Sequence, residues 1–215
     1  MKAKNYYGNE YFNNYQREIG EFGGKANIFK FKKYISSNHS VLDFGCGGGF
    51  LLNNLDCKEK VGIEINPIAR EYCKSNFGID CFENLDHIQD KSVDVIISNH
   101  ALEHCENPLF IINNLYAKLK KQGKIIIVVP LDSFLYKFKK DDVNKHLFSF
   151  SPMNLGNLLT SAGFKQIKTG NIYHKWPPFW KIIKTIFGWK VFHLTSRVYG
   201  TLNLFWTQSI GIGVK

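Results

Sequence analysis

From residue 40 onward, short apolar runs alternate with stretches in which apolar positions recur every three or four residues. That alternation is the pattern of βα units built around a parallel sheet. The strand positions are Val41–Phe44, Lys60–Ile65, Val93–Ser98 and Lys124–Val129, with a weaker one at Ile79–Phe82. VDVIIS and KIIIVV are almost unbroken in β-branched residues, as strands covered by helices on both faces require. Three helix starts are marked by a capping side chain before a proline: Asn66-Pro67, Asn107-Pro108 and Ser151-Pro152. Ile112, Leu115 and Leu119 then share one helical face, as do Leu155, Leu158, Leu159 and Ala162, with Gly163 as a left-handed stop. Phe164–Thr169 and Leu204–Val214 read as two further strands. The intervening stretch is longer than a tight connection needs, which marks it as an insertion.

The pattern therefore predicts one doubly wound α/β domain with a mostly parallel sheet. Its parts are an aromatic, basic N-terminal cap (1–39), a core (40–170), a basic aromatic insertion (171–203) and a final core strand (204–215). A length of 215 residues suits a single domain. Charge refines the picture. The chain carries a net +10, yet residues 41–170 are neutral, and residues 171–215 hold six Lys/Arg and no Asp or Glu. The excess sits in the flanks, where nucleic acid, an anionic membrane or a phosphorylated substrate would be attracted. Five cysteines without a CxxC pair point to reduced thiols and a cytoplasmic setting. The polar, aromatic start MKAKNYYGNEYF has no signal-peptide core, and no run of 18 apolar residues suggests a spanning helix.

The chemistry concentrates in VLDFGCGGGFLL, residues 41–52, where an apolar strand meets a glycine-rich turn and a helix start. Glycines there permit a tight turn and the approach of a ligand without a Cβ in the way. The helix start offers unpaired N–H groups. Asp43, just before the turn, can accept hydrogen bonds from a ligand amino group. Glu64 ends the next strand about 20 residues on, the place of a ribose-binding acid in nucleoside-binding α/β folds. The turn is GxGxG rather than GxGxxG, and GxxxxGK[ST] is missing from the sequence.

VLDFGCGGG resembles motif I of the class I S-adenosylmethionine (SAM)-dependent methyltransferases, and VGIEINP resembles their second motif. DKSVDVIISNHALEHCENP, LKKQGKIIIVVP and KHLFSFSPMNLGNLLTSAGF are similar to the later segments of the small-molecule methyltransferases, in the family's order. The resemblance implies a seven-stranded Rossmann-like sheet with its last strand antiparallel, and SAM as cofactor. By position it places Asp43 at the methionine amino group, with Gly45, Cys46 and Gly47 around the amino-acid and sulfonium end. Glu64 would hold the ribose, and Ile65, Asn84 and Leu85 would contact the adenine. Asn99 would lie near the transferable methyl group.

A hydroxyl acceptor must shed a proton, so a base or a metal ion is needed. His100 and His104 are the base candidates, alongside a structural reading in which His104 bonds backbone in the loop before Pro108. His100-Ala-Leu-Glu103-His104 also matches HxxEH, but it follows a strand instead of lying within a helix, which excludes protease use. Some small-RNA and ubiquinone-pathway O-methyltransferases bind a divalent ion through an acid-x-x-Glu-His group at this position. Here His100 replaces the first acid and His146 could add a ligand; the departure from the acidic pattern argues against a metal site. LDSFLYKFKKDDVNKH suggests a substrate lid or a packed surface loop. In the insertion, Lys181, Lys184 and Lys190 interrupt an aromatic and aliphatic series. Residues 176–193 thus form either a cap over the site or a peripheral membrane contact. The function expected is methyl transfer to O or N of a small molecule, such as a sugar or lipid-linked intermediate. RNA methylation and non-catalytic binding are the alternatives.

Overall fold

The computed structural model describes Phe12 and residues 17–133, 135–203 and 207–215. Most of the predicted cap before residue 17, and residues 204–206 of the predicted last strand, lie outside them. The chain opens with α1 (Arg17–Ala26) and the short α2 (Ile28–Phe31). It continues through β1 (Ser40–Phe44), α3 (Phe50–Asn53), β2 (Glu59–Ile63), α4 (Pro67–Phe77) and β3 (Asp80–Phe82). Then come β4 (Val93–Asn99), α5 (Pro108–Lys118), β5 (Leu119–Leu131), α6 (Pro152–Ser161) and β6 (Lys165–Ile172). The last elements are α7 (Trp180–Leu202) and β7 (Thr207–Val214).

The seven strands form one sheet in the order β3-β2-β1-β4-β5-β7-β6. β7 alone runs against its neighbours, paired with Lys124–Leu131 of β5 on one side and with β6 on the other. Strand order reverses beside β1, whose partners are β2 and β4, and ligands bind α/β sheets outside the strand ends at such a reversal.

Side chains alternate across the sheet, so the near-continuous apolar strands feed two cores. Leu42, Ile96, Ile125 and Ile127 face α5 and α6 through Ile112, Leu115, Leu155 and Leu159. Val41, Val95, Ile97, Ile126 and Val128 face Phe31, Leu51, Leu52 and Cys73 on the other side. The three proline-marked helices begin as the sequence predicts. Asn66 Oδ1 accepts from the Ile68 N–H at 3.0 Å, Asn107 Oδ1 from Phe110 at 3.1 Å and Ser151 Oγ from Asn154 at 3.2 Å.

Two boundaries differ from the sequence reading. β2 stops at Ile63, so Glu64 and Ile65 stand just beyond it. β5 is twice the predicted length because Leu119 already pairs with Val93, before a register shift brings Lys124 opposite Val95. The insertion is mostly the helix α7, broken at Gly188 (φ 75°, ψ −177°), a conformation that only glycine adopts at low cost.

Candidate active site

β1 delivers Asp43 and then turns. The N–H groups of Gly45 and Cys46 both donate to the Ile63 carbonyl, at 2.8 and 3.1 Å, which fastens the turn to β2. Gly45 has φ +77°, and a Cβ there would collide with the Ala101 side chain. Glu64 braces the turn from the side. One carboxylate oxygen accepts the Gly47 N–H at 2.9 Å, and the other accepts the Asn66 N–H at 2.9 Å. Burial raises the Glu64 carboxyl, opposed by those same N–H groups and by Arg70, whose guanidinium donates to the Glu64 carbonyl at 2.7 Å.

Above the turn opens a cleft of about 670 Å³, a size suited to a small-molecule ligand. Asp43, Gly45, Cys46 and Gly47 form one wall, with Asn99 and His100 from the end of β4 beside them. Asp43 is 2% exposed. Burial, with Cys73 and Glu64 adding to it, pushes its carboxyl up to about 8. Further lining comes from the flanks of the chain: Lys30 of α2, Trp176 and Trp180 at the start of the insertion, and Gln208 of β7.

Lys30 is a buried cation. Its Nζ donates to Asn99 Oδ1 at 3.0 Å and to Gln208 Oε1 at 2.6 Å, and desolvation pulls it down to about 7. His100 Nε2 lies 3.2 Å from the same Gln208 oxygen. Lys30, Asn99, Gln208 and His100 therefore form one polar network. His100 holds φ +58°, an uncommon backbone for a non-glycine residue. Burial, then the nearby Lys30 charge, drops its ring to about 3, so the imidazole is neutral.

A second polar group lies behind His100. Glu103 is fully buried, and neither of its carboxylate oxygens has a hydrogen-bond partner. His100 Nδ1 and His104 Nε2 approach one of those oxygens to 3.8 and 3.7 Å. His146 stands beside His104, ring centroids 5.2 Å apart, and its Nδ1 is held by Asp132 at 3.0 Å. Glu103, His104 and His146 each offer one ligand atom, all within 4.8 Å of one another. Burial pushes the Glu103 carboxyl up to about 8. Such an orphaned carboxylate between imidazoles fits a divalent transition-metal ion in donor chemistry.

Residues 11–169 match the model of a methyltransferase domain family. The chain belongs to the class I SAM-dependent methyltransferase superfamily. A ribosomal protein L11 methyltransferase from Clostridium botulinum is 32% identical over 68 residues, 30% of this chain and 22% of that protein. The chain thus spans about a fifth of that curated relative. Among solved structures, a Thermotoga maritima SAM-dependent methyltransferase, described as a possible histamine N-methyltransferase, matches the whole of both chains at 19% identity and TM-score 0.69. A Haemonchus contortus phosphoethanolamine N-methyltransferase, solved with phosphomonomethylethanolamine and S-adenosylhomocysteine, gives TM-score 0.63 at 12% identity, over 93% of this chain and 58% of that one. Both share the fold.

In this chain, Asp43, Gly45, Cys46, Gly47, Asn99 and His100 meet at one cleft. Glu64 stands beside the turn and holds it. Ile65 is partly exposed, Asn84 caps a short 3-10 turn by accepting the Asp86 N–H at 3.0 Å, and Leu85 packs on the core. His104 does not line the cleft; it sits with Glu103 and His146 and bonds the Lys145 backbone. Lys30 and Gln208 were missed by the sequence reading. Lys30 looks like one of several solvated lysines in FKFKK, and Gln208 lies in a strand whose pairing partners decide where it points.

Proposed function

We propose that this chain transfers the methyl group of SAM to an O or N atom of a small molecule bound in the cleft beneath Trp176 and Trp180. The observation that carries the reading is the joining of the motif I turn, with Asp43 and Glu64, to a buried polar network at Asn99. Bound SAM supplies an electrophilic methyl group, and the residues around it position and desolvate. In this reading Asp43 accepts the methionine ammonium, and the turn amides line the amino-acid end. Glu64 keeps a lone pair for the ribose hydroxyls, since its two oxygens accept the N–H groups of Gly47, Ile65 and Asn66 and a carboxylate has about four acceptor positions. Ile65, Asn84 and Leu85 border the adenine side.

Proton removal falls to Lys30 or His100. A neutral Lys30 amine has two N–H donors, which Asn99 and Gln208 engage, and a lone pair left for an acceptor proton. Its depressed pKa suits that task at neutral pH better than the strongly depressed imidazole of His100. His100 then serves to fix Gln208. A small-molecule acceptor is supported by the cleft's size and by the phosphomonomethylethanolamine bound in the Haemonchus structure.

The orphaned Glu103 favours a second reading, metal-assisted O-methylation. Glu103, His104 and His146 would hold the ion, with Asp132 orienting His146, and the ion would lower the pKa of a bound hydroxyl.

Calorimetric titration with SAM and with S-adenosylhomocysteine tests the first reading. Micromolar binding is expected, and Glu64→Ala should weaken it by roughly 2–3 kcal/mol through the lost charge-assisted bonds. Wild-type affinity in Glu64→Ala would remove Glu64 from the ribose site. Loss of turnover on chelation, restored by a transition metal, would establish the second reading.

A further inference from the structure

The helix α7 has two apolar faces, and the fold uses one of them. Phe192, Ser196 and Gly200 are buried on the inner face. Phe22 of α1 meets Phe192 and Trp189 there at ring separations of 5.2 and 5.1 Å. Ile182 and Ile186 before the Gly188 break, and Leu194, Val198 and Leu202 after it, are exposed, Ile186 by 67% and Leu202 by 79%. Beyond the Gly188 break, Val191, Leu194, Val198 and Leu202 follow one another at intervals of three and four residues, so they form a single stripe. A helix of a water-soluble domain turns charge of both signs outward. Here the outward polar residues include Lys190 and Arg197, and the stretch 171–215 contains no Asp or Glu.

A second exposed apolar site stands at the same end of the sheet. Phe138, between β5 and α6, is 93% exposed and flanked by Lys137, Lys139 and Lys140. The pairing of Leu131 with Thr207 brings the start of this loop next to the chain's return from α7. Both lie at the strand ends where Asp43, Asn99 and Gln208 border the cleft.

We propose that this end of the molecule docks on an anionic lipid surface, with the outer face of α7 lying in the interface and Phe138 as a second insertion point. Hydrocarbon would take the aliphatic stripe, and lipid phosphates would take the lysines and Arg197. A nucleic acid would match the cations but gain nothing from Ile186, Leu194 and Leu202. A second copy across a two-fold axis would set this acid-free, basic stretch against itself. Among the described residues no helix is long and apolar enough to cross a membrane, so the contact runs along the surface. Docking in this way would set the cleft and its two tryptophans beside the bilayer. The docking holds or fails independently of the methyltransferase reading.

Co-sedimentation of the full chain with vesicles of phosphatidylcholine, with and without phosphatidylglycerol, tests it. The expected result is binding to the anionic vesicles, weak binding to the neutral ones, and release as salt rises. The double variant Leu194→Glu/Val198→Glu should lose about tenfold or more in vesicle affinity, with SAM binding and thermal melting unchanged. Lys190→Glu/Arg197→Glu should abolish the preference for anionic lipid. Folded wild-type protein left in the supernatant with anionic vesicles would overturn the proposal, as would vesicle binding by Leu194→Glu/Val198→Glu equal to wild type. A dimer in sedimentation velocity that Leu194→Glu dissolves, without vesicle binding, would assign the stripe to a second copy. RNA binding that needs Lys190 but not Leu194, again without vesicle binding, would assign the face to nucleic acid.

Discussion

Asp43 and Lys30 carry opposite charges in bulk water and face the same cleft, each disfavoured in its charged form by burial. With its carboxyl near 8, Asp43 holds a proton at pH 7 in the free protein. A cationic ammonium beside it favours the carboxylate, so SAM binding should release a proton at that pH. Titrations in buffers of different ionisation enthalpy would show this as a buffer-dependent heat. A heat independent of buffer would remove Asp43 from the ammonium. Lys30 works in the opposite sense: only the deprotonated amine can act as a base, so turnover should rise with pH through about 7. Lys30→Met should lower kcat by at least about tenfold and flatten that limb, with SAM affinity little changed. A retained limb in Lys30→Met would remove Lys30 as the base.

At the scale of elements, the cleft is assembled from pieces far apart in the chain. α7 is fixed by aromatic packing: Phe192 is fully buried, with Phe22, Trp176 and Trp189 rings 5.2, 6.3 and 5.5 Å away. Phe192→Ala should cost about 3–5 kcal/mol, measured by denaturant unfolding, and should loosen the Trp176–Trp180 wall. The sequence showed this segment to be aromatic and basic but left open whether it caps the site or meets a membrane. Trp176 and Trp180 line the cleft, whereas Ile186, Leu194 and Leu202 are exposed, so capping the site leaves these apolar residues unused. Periodicity alone misses this difference, because large apolar residues occupy both faces. The segment between β5 and α6 contributes His146 and Ser149, which accepts the Asp132 N–H at 2.9 Å.

For the whole molecule, the cleft ties α1 and α2, the central strands and β7 to one site. A ligand that binds only the folded form stabilises it as a unit, by about 2.7 kcal/mol at a concentration one hundred times Kd. SAM should therefore raise the midpoint of one cooperative melt. A first transition that involves only the flanking helices and ignores SAM would show that they are a separate unit. The strands of the sheet, the three proline-marked helices and the glycine turn were legible in the sequence, since these rest on local signals: β-branched runs, proline-marked caps, and glycines needed where φ is positive. The placing of Asp43, Gly45 and Gly47 at the cleft, with Glu64 beside the turn, was legible because the two segments lie within a short span of chain. Tertiary structure alone decided the partnership of Lys30 with Gln208, 178 residues apart, the separation of His104 from the cleft, and the burial of Glu103 without a partner. Those outcomes depend on which side chains pairing and packing bring face to face, and on how much water they exclude, neither of which is written in the spacing of residues along the chain.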